Sequence, residues 1–82
     1  MLNLDYDKQF DILYARLPFS GHSYGEEDPD GVITYHNIET GAVTGVAIYS
    51  FKKRLENGSI STIHLPFAID FLCTAIKKLI DA

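Results

Sequence analysis

The sequence predicts an α+β domain: an antiparallel β-meander of about four strands, a short helix, room for one extra short strand, and a C-terminal amphipathic helix packed on one sheet face. Three observations carry this. Up to residue 49, apolar residues recur at every second position in short runs separated by Gly, Pro, Asn and Asp. Beyond Pro66 the apolar spacing changes to that of one helix face. At 82 residues the chain is long enough for one core and too short for two, so residues 1–82 read as a single domain.

The elements follow in order. Leu2, Leu4 and Tyr6 alternate with Asn3 and Asp5 as a first strand, and the next residues supply turn chemistry. Residues 11–17 form a second strand with Leu13, Ala15 and Leu17 on one face and Ile12, Tyr14 and Arg16 on the other, and Pro18 ends it. Residues 19–30 are rich in Gly, Ser, Pro and acid and form the longest irregular segment, with room for a short edge strand over 22–26. Residues 32–36 and 42–49 pair across a hairpin whose Gly41 takes the left-handed position.

Ser50 is placed to cap a short helix over 51–57, in which Phe51 and Leu55 share a face and Gly58 stops the turn. Residues 60–65 read either as a short strand or as an extended lead-in, with Pro66 near a helix start. From residue 67 to 80, Ala68, Leu72, Cys73, Ala75, Ile76, Leu79 and Ile80 form one stripe, which predicts a helix packed on the sheet.

Composition narrows the function classes. The chain is 46% hydrophobic and 22% charged, as globular domains are, and its net charge of −4 offers no broad basic surface for nucleic acid or an anionic membrane. Lys52, Lys53 and Arg54 are the only basic cluster and read as the solvated side of the short helix. No run approaches a membrane span, and the first residues do not resemble a secretory leader. Cys73 has no internal disulfide partner and falls among apolar residues, which fits a reducing, cytoplasmic setting.

The run Leu4-Asp5-Tyr6-Asp7-Lys8-Gln9-Phe10-Asp11-Ile12-Leu13-Tyr14-Ala15-Arg16-Leu17, followed by Asp30-Gly31-Val32-Ile33 and Gly41-Ala42-Val43-Thr44-Gly45-Val46-Ala47-Ile48, resembles the small bacterial family named domain of unknown function 2283. The resemblance spans about two-thirds of the chain and rests on Tyr6, Asp7, Asp11, Leu13, Tyr14, Gly31, Val32 and Ile33. It implies a short antiparallel meander and transfers no catalytic residue. An antitoxin-like or inhibitor-like role would suit it.

Candidate chemistry is sparse. His22, His36 and His64 lack the spacing of a metal site, and the acidic run Glu26, Glu27, Asp28 and Asp30 lacks the order of a calcium loop, so no metal and no cofactor are expected. Cys73 with His64 reads as core rather than as a thiol nucleophile, and neither a phosphate loop nor a serine elbow is present. No catalytic residue is expected.

If the C-terminal helix covers Leu13, Ala15, Leu17, Ile33, Tyr35, Val46 and Ile48, then Ile12, Tyr14, Val32, Thr34, Ala47 and Tyr49 remain on an open, apolar and aromatic face. A one-residue slip would exchange the two sets. On that arrangement His36 shares the face of Tyr14, Arg16 and Thr34. The expected function is a non-enzymatic interaction module, a homodimer or a binder of another protein, with contacts from Tyr14, Arg16, His36, Tyr49, Glu26 and Glu27. The alternative is a small ligand-binding domain or enzyme using the loop that starts at Gly21 and ends at Asp30 together with His36.

Overall fold

The computed structural model describes residues 2–18, 21–69 and 74–81. Five antiparallel strands form one sheet: β1 (Asn3–Asp7), β2 (Ile12–Arg16), β3 (Ser23–Glu27), β4 (Val32–Asn37) and β5 (Val43–Tyr49). Their spatial order is β1-β2-β5-β4-β3. The hairpin β1–β2 and the meander β3–β4–β5 thus meet where β5 pairs with β2, and β1 and β3 are the edges. Helix α1 (Phe51–Asn57), a 3-10 turn (Ser59–Thr62) and helix α2 (Thr74–Asp81) complete the described chain. The α+β class and the antiparallel meander are as the alternation predicts, with the edge strand after His22 fully formed.

Turn chemistry fixes the hairpins. The Asp28 side chain accepts hydrogen bonds from the backbone N–H groups of Asp30 at 2.9 Å and Val32 at 3.1 Å, and Gly31 completes that turn at φ 81°. Asn37 likewise accepts from Glu39 and Thr40, and Gly41 adopts φ 76°. Gly58, at φ 80°, ends α1 as expected.

The cap of α1 differs from expectation. Ser50 occupies the N-cap position at φ 55° but makes no side-chain capping bond. Asp11, in the β1–β2 turn and also at φ 55°, caps the helix from a distance by accepting from Lys52 N–H at 2.8 Å. The turn preceding β2 is thereby tied to the helix following β5.

The register places the core. Ala15 and Leu13 oppose Val46 and Ile48, which in turn oppose Thr34 and Val32, while Leu4 and Tyr6 extend the same face from β1. Phe51 of α1 and Ile76 of α2 close over them, and Leu13, Val32, Ile48, Phe51 and Ile76 are fully buried. Tyr6 meets the Phe51 ring edge-on at 6.2 Å between centroids.

One sequence expectation is corrected here and one open alternative is decided. The expected helix over residues 67–80 is absent from 67–69 and is present over Thr74–Asp81. Residues 60–65 form no strand: the 3-10 turn gives way to an unpaired stretch in which Ile63, Leu65, Phe67 and Ile69 pack against the core while His64, Pro66 and Ala68 are exposed. Pro66 accounts for the unpaired stretch, because it holds Leu65 out of the helical region and cannot donate to a ladder; nothing in the structure explains why no helix starts directly after it. Leu72 and Cys73 lie outside the described residues.

Candidate functional site

Antiparallel partners share a face, so the register also defines the side opposite the core. Three rows cross it. The first holds Asn3, Arg16, Gly45, Tyr35 and Gly25; the second, Asp5, Tyr14, Ala47, Ile33 and Glu27; the third, Asp7, Ile12 and Tyr49. Ala47 at its centre is 0% exposed, and Ile12, Tyr14, Ile33, Tyr35 and Tyr49 are half-buried around it. Phe51 and Leu55 of α1, Ile60 of the 3-10 turn and Ile76, Leu79 and Ile80 of α2 pack on the other face.

The faces of β4 are thus the reverse of those predicted. Val32, Thr34 and His36 belong to the covered side, and Ile33 and Tyr35 to the open one. Alternation within 32–36 fits either choice, and it is pairing with β5 that decides. Among the predicted contact residues, Tyr14, Arg16, Tyr49 and Glu27 therefore lie on the open face, whereas Glu26 and His36 do not. His36 stacks on Tyr24 at 5.4 Å, and its Nδ1 lies 3.2 Å from the Gly41 carbonyl oxygen. The segment from Gly21 to Asp30 is split between the faces: Tyr24 meets His36 on the covered side, whereas Gly21, His22 and Ser23 line a cleft on the open one.

A bulge shapes one end of this face. Tyr35 pairs with Gly45 but His36 pairs with Val43, leaving Thr44 as the extra residue. Thr44 turns toward the open side, where its hydroxyl lies 2.8 Å from that of Ser23. Gly45 permits the close approach of β2 and β5, since a Cβ there would stand 2.6 Å from the Ala15 carbonyl oxygen. Gly25 serves the neighbouring strand: Ile33 and Tyr35 lean over it so closely that a Cβ would lie 2.8 Å from Ile33 Cγ2 and 3.1 Å from Tyr35 Cε1.

The result is a cleft of about 310 Å³ among Tyr14, Arg16, His22, Ser23, Tyr35 and Thr44. Burial, with Tyr14 and Tyr49 nearby, raises the Tyr35 pKa, and Arg16 opposes that rise only in part. Tyr35 therefore stays a neutral hydrogen-bond donor at physiological pH. Isolated glycine within a strand was the available signal for the bulge; nothing in the sequence indicated that Thr44 and Ser23 would meet.

Among the described residues, no group of three or more His, Cys, Asp or Glu side chains is placed to hold a metal ion, and no helix is long and apolar enough to cross a membrane. Cys73 lies outside them, and His64 is exposed. Comparison with known protein families, with curated proteins and with solved structures gives no match to this chain.

Proposed function

We propose that this chain is a non-catalytic interaction module that pairs with a second copy of itself through the open sheet face. One observation carries the reading: the described helices cover one side of the sheet, and the other presents Ile12, Tyr14, Ile33, Tyr35 and Tyr49 around buried Ala47. Tyrosines offer large contact area with few rotatable bonds and a polar tip, and they are enriched where proteins meet. A chain of 82 residues also buries a modest share of its own surface, so association adds apolar burial that one copy lacks. An antitoxin-like or inhibitor-like role would use the same face against a different protein. The resemblance to the domain of unknown function 2283 family adds an expected fold and no activity.

The test is the native mass, by light scattering, of the wild type and of Tyr14→Asp and Tyr49→Asp variants whose folding is checked by circular dichroism. The expected result is a dimeric wild type and folded variants of half that mass. A monomeric wild type, or folded variants that keep the dimer mass, refutes pairing through this face.

A further inference from the structure

The bulged end of the open face carries polar groups, Arg16, Ser23 and Thr44, to which pairing assigns no part. In a chain of net charge −4, no carboxylate among the described residues lines the cleft, and its cationic side chain is Arg16. Arg16 is exposed, and its guanidinium makes no hydrogen bond or ion pair with any described residue. Asp5 borders an adjoining depression together with Arg16 and forms no ion pair with it. The floor between Arg16 and Tyr35 is bare backbone at Gly45, and Tyr35 leans away from it over Gly25. The Ser23 and Thr44 hydroxyls satisfy one another with one proton, so the second remains to be donated. Tyr14 and Tyr35 contribute aromatic walls, and His22 and Gly21 line the remaining side.

We infer that this cleft is a binding site for an aromatic carboxylate, the anion held by the Arg16 guanidinium and the Ser23–Thr44 hydroxyl pair and the ring held between Tyr14 and Tyr35. A planar guanidinium matches a carboxylate through two parallel hydrogen bonds. One guanidinium balances one carboxylate, whereas a phosphate dianion would keep an uncompensated charge. A cleft of about 310 Å³ accepts one ring with a short substituent. Two sources carry this chemistry: a free aromatic acid, and the C-terminal carboxylate of a peptide that ends in an aromatic residue. The site goes beyond the pairing reading: it shares the Tyr14 and Tyr35 rings with the pairing face but rests on Arg16, Ser23 and Thr44, to which pairing assigns no part.

The experiment is a titration followed by amide NMR, with benzoate and N-acetylphenylalanine as probes and with benzamide and N-acetylphenylalanine amide as their neutral counterparts. Saturable shifts at Ser23, Thr44 and Gly45 are expected with at least one acid, and binding about tenfold weaker or more for its amide and for Arg16→Gln. Tighter benzoate binding identifies the free acid as the better mimic, and tighter N-acetylphenylalanine binding identifies the peptide terminus. Titrating the Tyr49→Asp variant as well separates the two readings, since binding there survives a failure of pairing and pairing survives a failure of binding. No saturable shift with either acid, or equal binding by acid and amide, or by wild type and Arg16→Gln, overturns the inference.

Discussion

Replacing Asp11 should expose how the two halves of the sheet are joined. Its carboxylate accepts from the Tyr6 hydroxyl at 2.5 Å and from the Lys52 N–H at 2.8 Å, with Lys53 N–H at 3.5 Å, so one side chain links β1, the β1–β2 turn and the start of α1. Asn tolerates the left-handed backbone at φ 55° and keeps one acceptor oxygen, so Asp11→Asn isolates the charge. The gap between a charge-assisted and a neutral hydrogen bond sets its cost at about 1 kcal/mol. Asp11→Ala removes the cap (about 1 kcal/mol), the Tyr6 bond (about 1 kcal/mol) and the residue type suited to a positive φ (about 1 kcal/mol). Water reaching this half-exposed site offsets part of that sum, leaving about 2–3 kcal/mol.

The pH dependence gives the charge a signature. Burial alone would raise the Asp11 pKa, but the Tyr6 hydroxyl, the Lys52 and Lys53 N–H groups and the Lys52 charge outweigh it and hold it below the usual carboxylate value. A depressed carboxylate stabilises the fold fully above its unfolded pKa and ceases to do so as pH falls through its folded pKa. Urea unfolding at pH 7 and at about pH 2.5 should therefore show the gap between wild type and Asp11→Asn narrowing in acid. Tyr6, pushed up to about 12 by burial and then by its bond to Asp11, has the opposite sign: its share is intact below the ordinary tyrosine range and is lost as pH climbs to about 12. A gap that is the same at both acid and neutral pH, or an Asp11→Ala variant within about 0.5 kcal/mol of wild type, refutes this account.

Three further outcomes are expected. Gly45→Ala should cost about 1–3 kcal/mol by forcing β2 and β5 apart at the bulge, whereas Gly58→Ala, with open space around it, should cost about 1–2 kcal/mol through its left-handed backbone alone; the added cross-strand amide shifts should appear only in the first. Phe51→Ala should lose about 3–5 kcal/mol and leave much of a chain this small unfolded at room temperature, as read by near-ultraviolet circular dichroism. Val32→Asp and Ile33→Asp should diverge sharply: the first buries a charge and unfolds the chain, and the second keeps the fold and lowers the native mass.

What was legible in the sequence was local. Gly31, Gly41 and Gly58 take the left-handed conformations that their turns demand, and alternation located the strands, because both effects act within a few residues. What was not legible depended on distant partners. The helix cap comes from Asp11, 41 positions before Lys52, although a serine stands at the local cap position. The stretch from Ile63 to Ile69 alternates as a strand does yet finds no strand to pair with, and Pro66 beside Phe67 mimics a helix start. In the candidate site, alternation places Tyr14, Arg16 and Tyr49 on the open face because β2 and β5 have the expected parity, and it does not place Tyr35 there because β4 has the opposite one.

That one reversal decides what the open surface can do. With Val32 and Thr34 outward, the face would present two small β-branched residues and a histidine, and Tyr35 would be spent in the core. Placing Ile33 and Tyr35 outward adds a third tyrosine beside Tyr14 and Tyr49 and sets a phenol across Gly45 from Arg16. The bulge at Thr44 depends on the same register, since it absorbs the residue that lets Tyr35 face Gly45 while His36 faces Val43. The aromatic patch proposed for pairing and the cationic cleft proposed for a carboxylate therefore have one structural origin: the parity of β4 against β5. A register change there would abolish both surfaces together, while side-chain substitutions at Tyr49 and Arg16 should separate them.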